Sequence, residues 1–377
     1  MTETFRPAFP GRDRPMLSYG LPFPETIVKH AEDTFHASRI YVICSASLAR
    51  NTGKLDELKA KLGGKFVGVR IGMRPHSQWS EIFEVAEEVR KLQADLLVTL
   101  GGGSLTDAAK IVSYVLLPKA KLMFHGAGLR GPALVILDPA LAVLTPARVW
   151  LSTGVKAVDH CVETLCAVRG GDDAADADAR RGLASLIPGL LQTAAAVRAR
   201  DAGGDEDEGK VREKDMDARL TSLLGVGHAM SAASRGVPLG ASHGIGHQLG
   251  PMGIGHGETS CILLPAVCAV NYARGANVAR QDAVAAELWK QPLAAELFEA
   301  RGFRRPSDGG GGTPLSELLD AFIRGALGMP RTLKEFGIGE DQLDSIADYS
   351  LLDHWVKTNP APLDKDGILE ILRSVCG

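Results

Sequence analysis

The chain has 377 residues, 45% of them hydrophobic, and a formal net charge of −3. That length exceeds one ordinary core and fits two globular domains. The weak acidic balance, without a dense basic stripe, argues against nucleic acid as the main partner. No apolar run reaches the ~18 residues of a membrane span.

The N-terminal stretch MTETFRPAFPGRDRP carries acidic residues and prolines but no apolar core, so it reads as neither a secretory signal nor a transit peptide. RIYVIC (39–44) predicts a strand, followed by a turn and a helix, and FVGVR (66–70) predicts the next strand. Residues 80–94 place apolar side chains at helical spacing. DLLVTL (95–100) is again a strand, leading through GGGS into a helix that ends near residue 116, and ALVIL (133–137) is a further strand. This alternation predicts βαβ units and a parallel sheet. After Pro146 the strand signals stop. Helices are predicted near 153–169, 174–198, 216–234, 243–249, 260–273, 279–300, 314–327, 340–357 and 365–375. The expected division is an α/β domain over 1–146 and an all-α domain over 147–377. Two stretches, the charge run 199–215 and the glycine-rich 304–314, read as solvated connectors. The six cysteines (44, 161, 166, 261, 268 and 376) form no C-x-x-C pair and read as reduced thiols of a cytoplasmic protein.

Two stretches carry chemistry. In TLGGGSLTDAAKIV (99–112), Gly101, Gly102 and Gly103 let the backbone approach an anion, and the following helix offers free N–H groups and a favourable dipole. Ser104 can cap that helix and also donate to a phosphate. An ordinary glycine turn is the alternative, but a strand before and a helix after favour phosphate binding. HGAGLRG (125–131) contains a literal G-x-G-x-x-G, yet it leads into a strand instead of opening a helix, so it is not a dinucleotide fingerprint. The second stretch is a set of histidines. TGVKAVDHCVE (153–163) carries His160, and ASHGIGHQLGPMGIGHGE (241–258) carries His243, His247 and His256. Converging imidazoles of this kind suit zinc or iron.

Together these residues resemble the iron-containing, or group III, alcohol dehydrogenases. GGGSLTDAAK resembles the family's phosphate loop, ILDPALAVLTP (136–146) its link into the helical domain, and SHGIGHQLG with HGETSCILLPAV its metal and substrate helices. SYGLPF, MPRTLKEFGI and TNPAPLDKDGILEIL resemble its two ends. DHCVETLCA (159–167) is most similar to the maleylacetate reductase branch, which reduces maleylacetate to 3-oxoadipate and typically does not rely on the metal; RPHS (74–77) leans the same way. The resemblance implies a dehydroquinate synthase-like architecture and hydride transfer between NAD(P) and a carbonyl or alcohol carbon in a cleft between the domains. It implies cofactor contacts at Gly101, Gly102, Gly103, Ser104, Asp107, Lys121 and Ser45, metal ligands at His160, His243 and His256, and a proton relay at His247. It also implies a small-molecule substrate and a homodimer.

Three departures qualify this. The family's metal pattern, T-G-x-D-A-x-x-H, has its aspartate replaced by Lys156. A protonated lysine has no lone pair and repels a cation. Asp159 is no obvious substitute, because it lies about 100° from His160 around a helix. Lys156 then either supplies the missing positive charge to a developing alkoxide or a substrate carboxylate, as a catalytic group, or is a surface change. His243 and His256 also stand one residue closer than usual. Second, the family's strand and Thr/Ser-rich turn after the GGGS helix is not found: KIVSYVLLPKAKLMFHGAG (110–128) runs almost directly to Lys121. Either that segment is deleted and the sheet shortened, or the gene model or splicing is in error. Third, Ser45, Ala46 and Ser47 follow the first strand of the nucleotide fold, so no carboxylate repels a 2′-phosphate and either NADH or NADPH is expected to bind. The competing readings are a metal-dependent dehydrogenase of a small alcohol or aldehyde, a catalytically impaired paralogue and, more distantly, a phosphate-eliminating lyase.

Overall fold

The computed structural model describes residues 2–74, 78–116, 131–203, 207–306 and 311–377. The chain divides into two compact units, Met1–Asp138 and Pro139–Gly377. The sequence boundary near 146 falls a few residues into the second unit. Buried Arg219 accounts for the position of this junction. Its guanidinium donates to the carbonyls of Ala142 (2.7 Å) and Thr145 (3.0 Å) and lies 4.7 Å from the centre of the Trp150 ring, tying 139–146 to the helical unit.

The first unit runs β1 (Thr4–Pro7), β2 (Met16–Tyr19), α1 (Phe23–Asp33), β3 (Ile40–Cys44), α2 (Ala46–Asn51), α3 (Lys54–Leu62), β4 (Phe66–Ile71), α4 (Trp79–Lys91), β5 (Leu96–Leu100), α5 (Gly103–Val115) and β6 (Leu134–Leu137). The βαβ alternation is present, and among the described residues the strands form two three-stranded sheets. One has the order β1-β2-β6, with β1 antiparallel and β6 parallel to β2; the other, β4-β3-β5, is all parallel. Central strand β3 is buried throughout, as a parallel strand flanked on both sides must be. Its Tyr41 and Ile43 pack with Ile82, Val85 and Val89 of α4 and Leu105 and Val112 of α5. The 82, 85, 89 spacing is the apolar stripe of an amphipathic helix. β1 was not anticipated from sequence. Glu3 holds it in place, accepting from Ser18 Oγ and His30 Nε2, both at 2.6 Å, with Lys29 at 3.0 Å. Burial opposes the Glu3 charge, but these donors outweigh it and lower its pKa to about 2. The expected gap after α5, with Lys121 inside it, lies outside the described residues. Among those residues β5 pairs on one edge only.

The second unit is helical: α6 (Pro139–Ala142), α7 (Ala147–Cys166), α8 (Asp173–Ala202), α9 (Glu208–Ala233), α10 (Ala241–Leu249), α11 (His256–Ala273), α12 (Val278–Trp289), α13 (Pro292–Glu299), α14 (Leu315–Asp320), α15 (Glu340–Ser350), α16 (His354–Lys357) and α17 (Lys365–Ser374). α7 packs in a core with α8, using Val155, Val158, Val162, Leu183, Leu186 and Leu190. Gly154 permits this approach, since a Cβ there would lie 2.3 Å from Leu190 Cδ2. The charge run expected as a connector is mostly helix: α8 continues to Ala202, and α9 begins at Glu208 behind Asp207, whose carboxylate accepts from Gly209 N. Charged residues on a solvated helix face give the same sequence signal as a loop. The helix predicted over 279–300 breaks at Pro292, which opens α13, and that over 340–357 breaks before Asp353, which caps α16. No helix among the described residues is long and apolar enough to cross a membrane.

Candidate active site

The glycine loop sits at the carboxyl end of the parallel sheet. From β3 the chain moves to β4 on one side and then to β5 on the other, so the β3/β5 edge is the topological switch point where such sheets bind ligands. Ser45 and Gly101 meet there. Ser45 N donates to Leu100 O (3.0 Å), while Ser45 Oγ accepts from Leu48 N (3.3 Å) and so caps α2. Gly101 adopts φ +145°, and a Cβ on it would lie 2.7 Å from Leu105 Cδ1 and 2.9 Å from Ser45 Cβ. Only glycine fits there. Gly102 and Gly103 are exposed, and a Cβ on either would meet nothing within 4 Å, which leaves open backbone at the start of α5. Such a cradle fits a pyrophosphate. Asp107 is exposed further along α5 and pairs with Lys110 at 2.9 Å.

In the second unit, α7 presents Lys156, Asp159, His160 and Glu163 to the first turn of α10. His160 Nδ1 lies 2.7 Å from Lys156 O. A carbonyl can only accept, so Nδ1 carries the hydrogen and Nε2 the lone pair. His243 Nδ1 lies 2.7 Å from Glu163 Oε2, and its buried Nε2 has no hydrogen-bond partner. The two rings stand edge to face, with centroids 4.4 Å apart. Burial, then the His243 charge, lowers the His160 pKa to about 4. For His243 burial acts downward, but the Asp159 and Glu163 carboxylates raise it above the usual histidine range. Lys156 is half-buried, and its charge opposes protonation of both imidazoles. Among the described residues its ammonium makes no hydrogen bond or ion pair.

Asp159, Glu163 and His243 bring their ligand-type atoms within 4.8 Å of one another, the one such group among the described residues. The angle between Asp159 and His160 around the helix argues against Asp159 as a ligand beside that histidine, and nothing in the motif marks Glu163. Both are one turn apart on the face that receives α10, and their i, i+4 spacing was the available signal. Glu163 accepts from Gly240 N and Ser242 N, each at 3.0 Å, besides His243; Asp159 Oδ2 accepts from Ser242 Oγ at 2.8 Å. Burial, with Glu163 next, raises the Asp159 pKa against the pull of His243 and the serines. Both Glu163 oxygens and Asp159 Oδ2 take protein donors, whereas the buried Asp159 Oδ1, like His243 Nε2, has no hydrogen-bond partner. The Glu163 contacts make the group an anchor that seats α10 and orients His243, with two ligand-type atoms, Asp159 Oδ1 and His243 Nε2, left over.

The three histidines expected as ligands do not form such a group. His160 and His243 are adjacent, whereas His256 opens α11 in an exposed position behind the turn at Gly253 (φ +94°). With Lys156 at the aspartate position and His256 exposed, the residues do not fit a four-ligand metal centre. His247 lies in the last turn of α10, exposed, with Nδ1 2.9 Å from Asp353 Oδ2. Nothing is described for Lys121 or for the side chain of Ser104.

An α/β unit with an open glycine loop, followed by a helical unit bearing histidines and a lysine, is the build of a two-domain oxidoreductase. The chain belongs to the iron-containing alcohol dehydrogenase family: residues 23–142 match the model for iron-containing alcohol dehydrogenase, and 150–376 match that for the C-terminal part of the family. Dehydrogenase ALT3 of Alternaria alternata is 34% identical over 90% of this chain and 99% of its own length. Dehydrogenase FUM7 of Gibberella moniliformis is 33% identical over 98% of this chain and 97% of its own. That comparison spans 439 positions, more than the 377 residues of this chain, so FUM7 carries segments that this chain lacks. Maleylacetate reductases are less similar; that of Rhizobium sp. strain MTP-10005 is 27% identical over 87% of each chain. The crystal structure of maleylacetate reductase from Agrobacterium tumefaciens shares the fold, with a TM-score of 0.72, 22% identity and coverage of 96% of this chain and 95% of that one.

Proposed function

We propose that this chain is an NAD(P)-dependent reductase of a small carbonyl compound bearing a carboxylate, with maleylacetate as the first substrate to test. The half-buried ammonium of Lys156 carries the reading. It has no partner among the described residues and lies beside two imidazoles, where the resembled family has an anionic metal ligand. A cation held there is placed to stabilise a developing alkoxide or to bind a substrate carboxylate. The loop Gly101–Gly103 supports nucleotide binding, its open backbone N–H groups taking the pyrophosphate. NAD(P)H bound there supplies a hydride to the carbonyl carbon. His247, having taken up a proton from solvent, then delivers it to the carbonyl oxygen, giving the alcohol, a role suited to an imidazole. With Ser45, Ala46 and Ser47 after β3, both NADH and NADPH are accepted.

The test is NAD(P)H oxidation by the purified protein with maleylacetate, alongside a panel of small aldehydes, with and without added zinc or iron. Turnover of maleylacetate that is independent of metal supports the reading. Turnover of aldehydes alone, restored by metal, replaces it with a metal-dependent alcohol dehydrogenase. Absence of turnover favours an impaired paralogue; weakened NADH binding would then point to the missing Thr/Ser-rich cofactor segment, and retained binding to loss of the chemistry.

A further inference from the structure

His247 has a partner that its sequence neighbourhood does not contain. Its Nδ1 lies 2.9 Å from Oδ2 of Asp353, more than a hundred residues later, in the turn before α16. The other oxygen, Asp353 Oδ1, accepts from Trp355 N at 2.8 Å. The carboxylate is therefore fixed at both ends, by the backbone of α16 and by the imidazole. An ionised carboxylate only accepts, so the hydrogen is on Nδ1 and Nε2 is left without a protein partner among the described residues. The Asp353 side chain is 13% exposed and that of His247 44%. The buried end of the pair is the anion, and the accessible end is the imidazole.

A glycine makes the pair geometrically possible. A Cβ on Gly244 would lie 2.6 Å from Val356 Cγ2, 2.8 Å from Val356 N and 3.1 Å from Asp353 Oδ1. Any side chain at 244 would push α16 off α10 and carry the carboxylate out of reach. The first glycine of S-H-G-I-G-H thus serves the histidine one turn later.

We infer that Asp353 is a positioning residue for His247: it holds the resting imidazole as the Nδ1–H tautomer, so that Nε2 takes up a proton from solvent, the carboxylate stabilising the imidazolium, and passes that proton on. The inference rests on the reading of His247 as the proton relay. The same carboxylate–imidazole logic fixes the tautomer in hydrolase triads, where replacing the carboxylate by its amide lowers turnover by about 10⁴-fold.

The test combines spectroscopy with kinetics on the full chain. In ¹⁵N-labelled wild-type protein, the His247 signals, assigned by their loss in His247→Gln, are expected to show a protonated Nδ1 and an unprotonated Nε2. In Asp353→Asn the amide oxygen keeps the Trp355 bond while the NH₂ group faces Nδ1, so the tautomer inverts. kcat is then expected to fall about 10²-fold or more, with KM changed less than about threefold, and the substitution should add nothing in a His247→Gln background. An Nε2–H tautomer in the wild type, an unchanged tautomer in Asp353→Asn, or an equal loss of kcat in the His247→Gln background overturns the inference. If the wild type shows no turnover at all, the functional reading fails alone, because the tautomer is still read directly. If Asp353→Asn fails to fold, the wild-type spectrum decides.

Discussion

Replacing Glu163 by glutamine tests the anchor that seats α10 on α7. The carboxylate takes three donors: Ser242 N on Oε1, and Gly240 N with His243 Nδ1 on Oε2, at 2.7–3.0 Å and buried. Glutamine keeps the shape but offers one acceptor oxygen and turns an NH₂ group toward at least one N–H. One or two buried donors lose their partner, at about 1–3 kcal/mol each, and the charge-assisted bond to His243 is lost as well. The expected destabilisation is about 2–4 kcal/mol. Trp150, Trp289 and Trp355 all lie in the second unit and Trp79 alone in the first, so tryptophan fluorescence in a urea titration reports mainly on the unit concerned. The loss of the anion should also lower the His243 pKa, read by NMR as a titration midpoint at lower pH. A Glu163→Gln protein that unfolds within about 0.5 kcal/mol of wild type would refute the anchor, since it would mean those N–H groups reach water or other acceptors.

Three further outcomes are expected. Gly101→Ala forces a Cβ into contact with Leu105 and Ser45 at a φ that L-residues rarely adopt; it should weaken NADH binding at least about tenfold in a fluorescence titration and lower the stability of the first unit by about 1–3 kcal/mol. Lys156→Ala should reduce kcat about 10²-fold, in line with loss of one preorganised donor to an oxyanion, whereas treatment of wild type with a chelator should leave activity unchanged; a stoichiometric metal whose removal abolishes turnover would contradict the charge-replacement reading. Glu3 has its pKa depressed from 4.5 to about 2, so its stabilising contribution is complete above the unfolded value and is lost as pH falls through about 2. Glu3→Gln should therefore be less stable than wild type at pH 7, and the gap should close toward pH 2 in a series of thermal melts.

The local grammar of this chain was readable without a structure. The 82, 85, 89 spacing of α4, the unbroken apolar run of β3 and the strand–glycine–helix order around Gly101 are fixed by periodicity and backbone freedom, which act between near neighbours. His160, His243 and His256 read as one converging set from the company they keep; the fold brings the first two together and leaves His256 exposed at the start of α11. What failed locally also has a local cause. The residues 208–215 look like a linker because a helix exposed on most of its surface carries the same charges as a loop, and β1 is too short to show an alternation.

The site's electrostatics were decided by tertiary structure. Asp159 is an acidic residue one position from a histidine in sequence, but it becomes a group of raised pKa only because α10 closes over it and removes its water. Glu163 is unremarkable until Gly240, Ser242 and His243 converge on it. Asp353 reaches His247 across more than a hundred residues because Gly244 lets α16 approach. His256 carries the right chemistry for a ligand but is exposed at the start of α11. Sequence alone determined which residue types were available and which elements would carry them. Their distances, burial and partners, and hence which one holds a proton or a charge, depend on contacts between elements far apart in the chain, where hydrogen bonding and desolvation are set by packing.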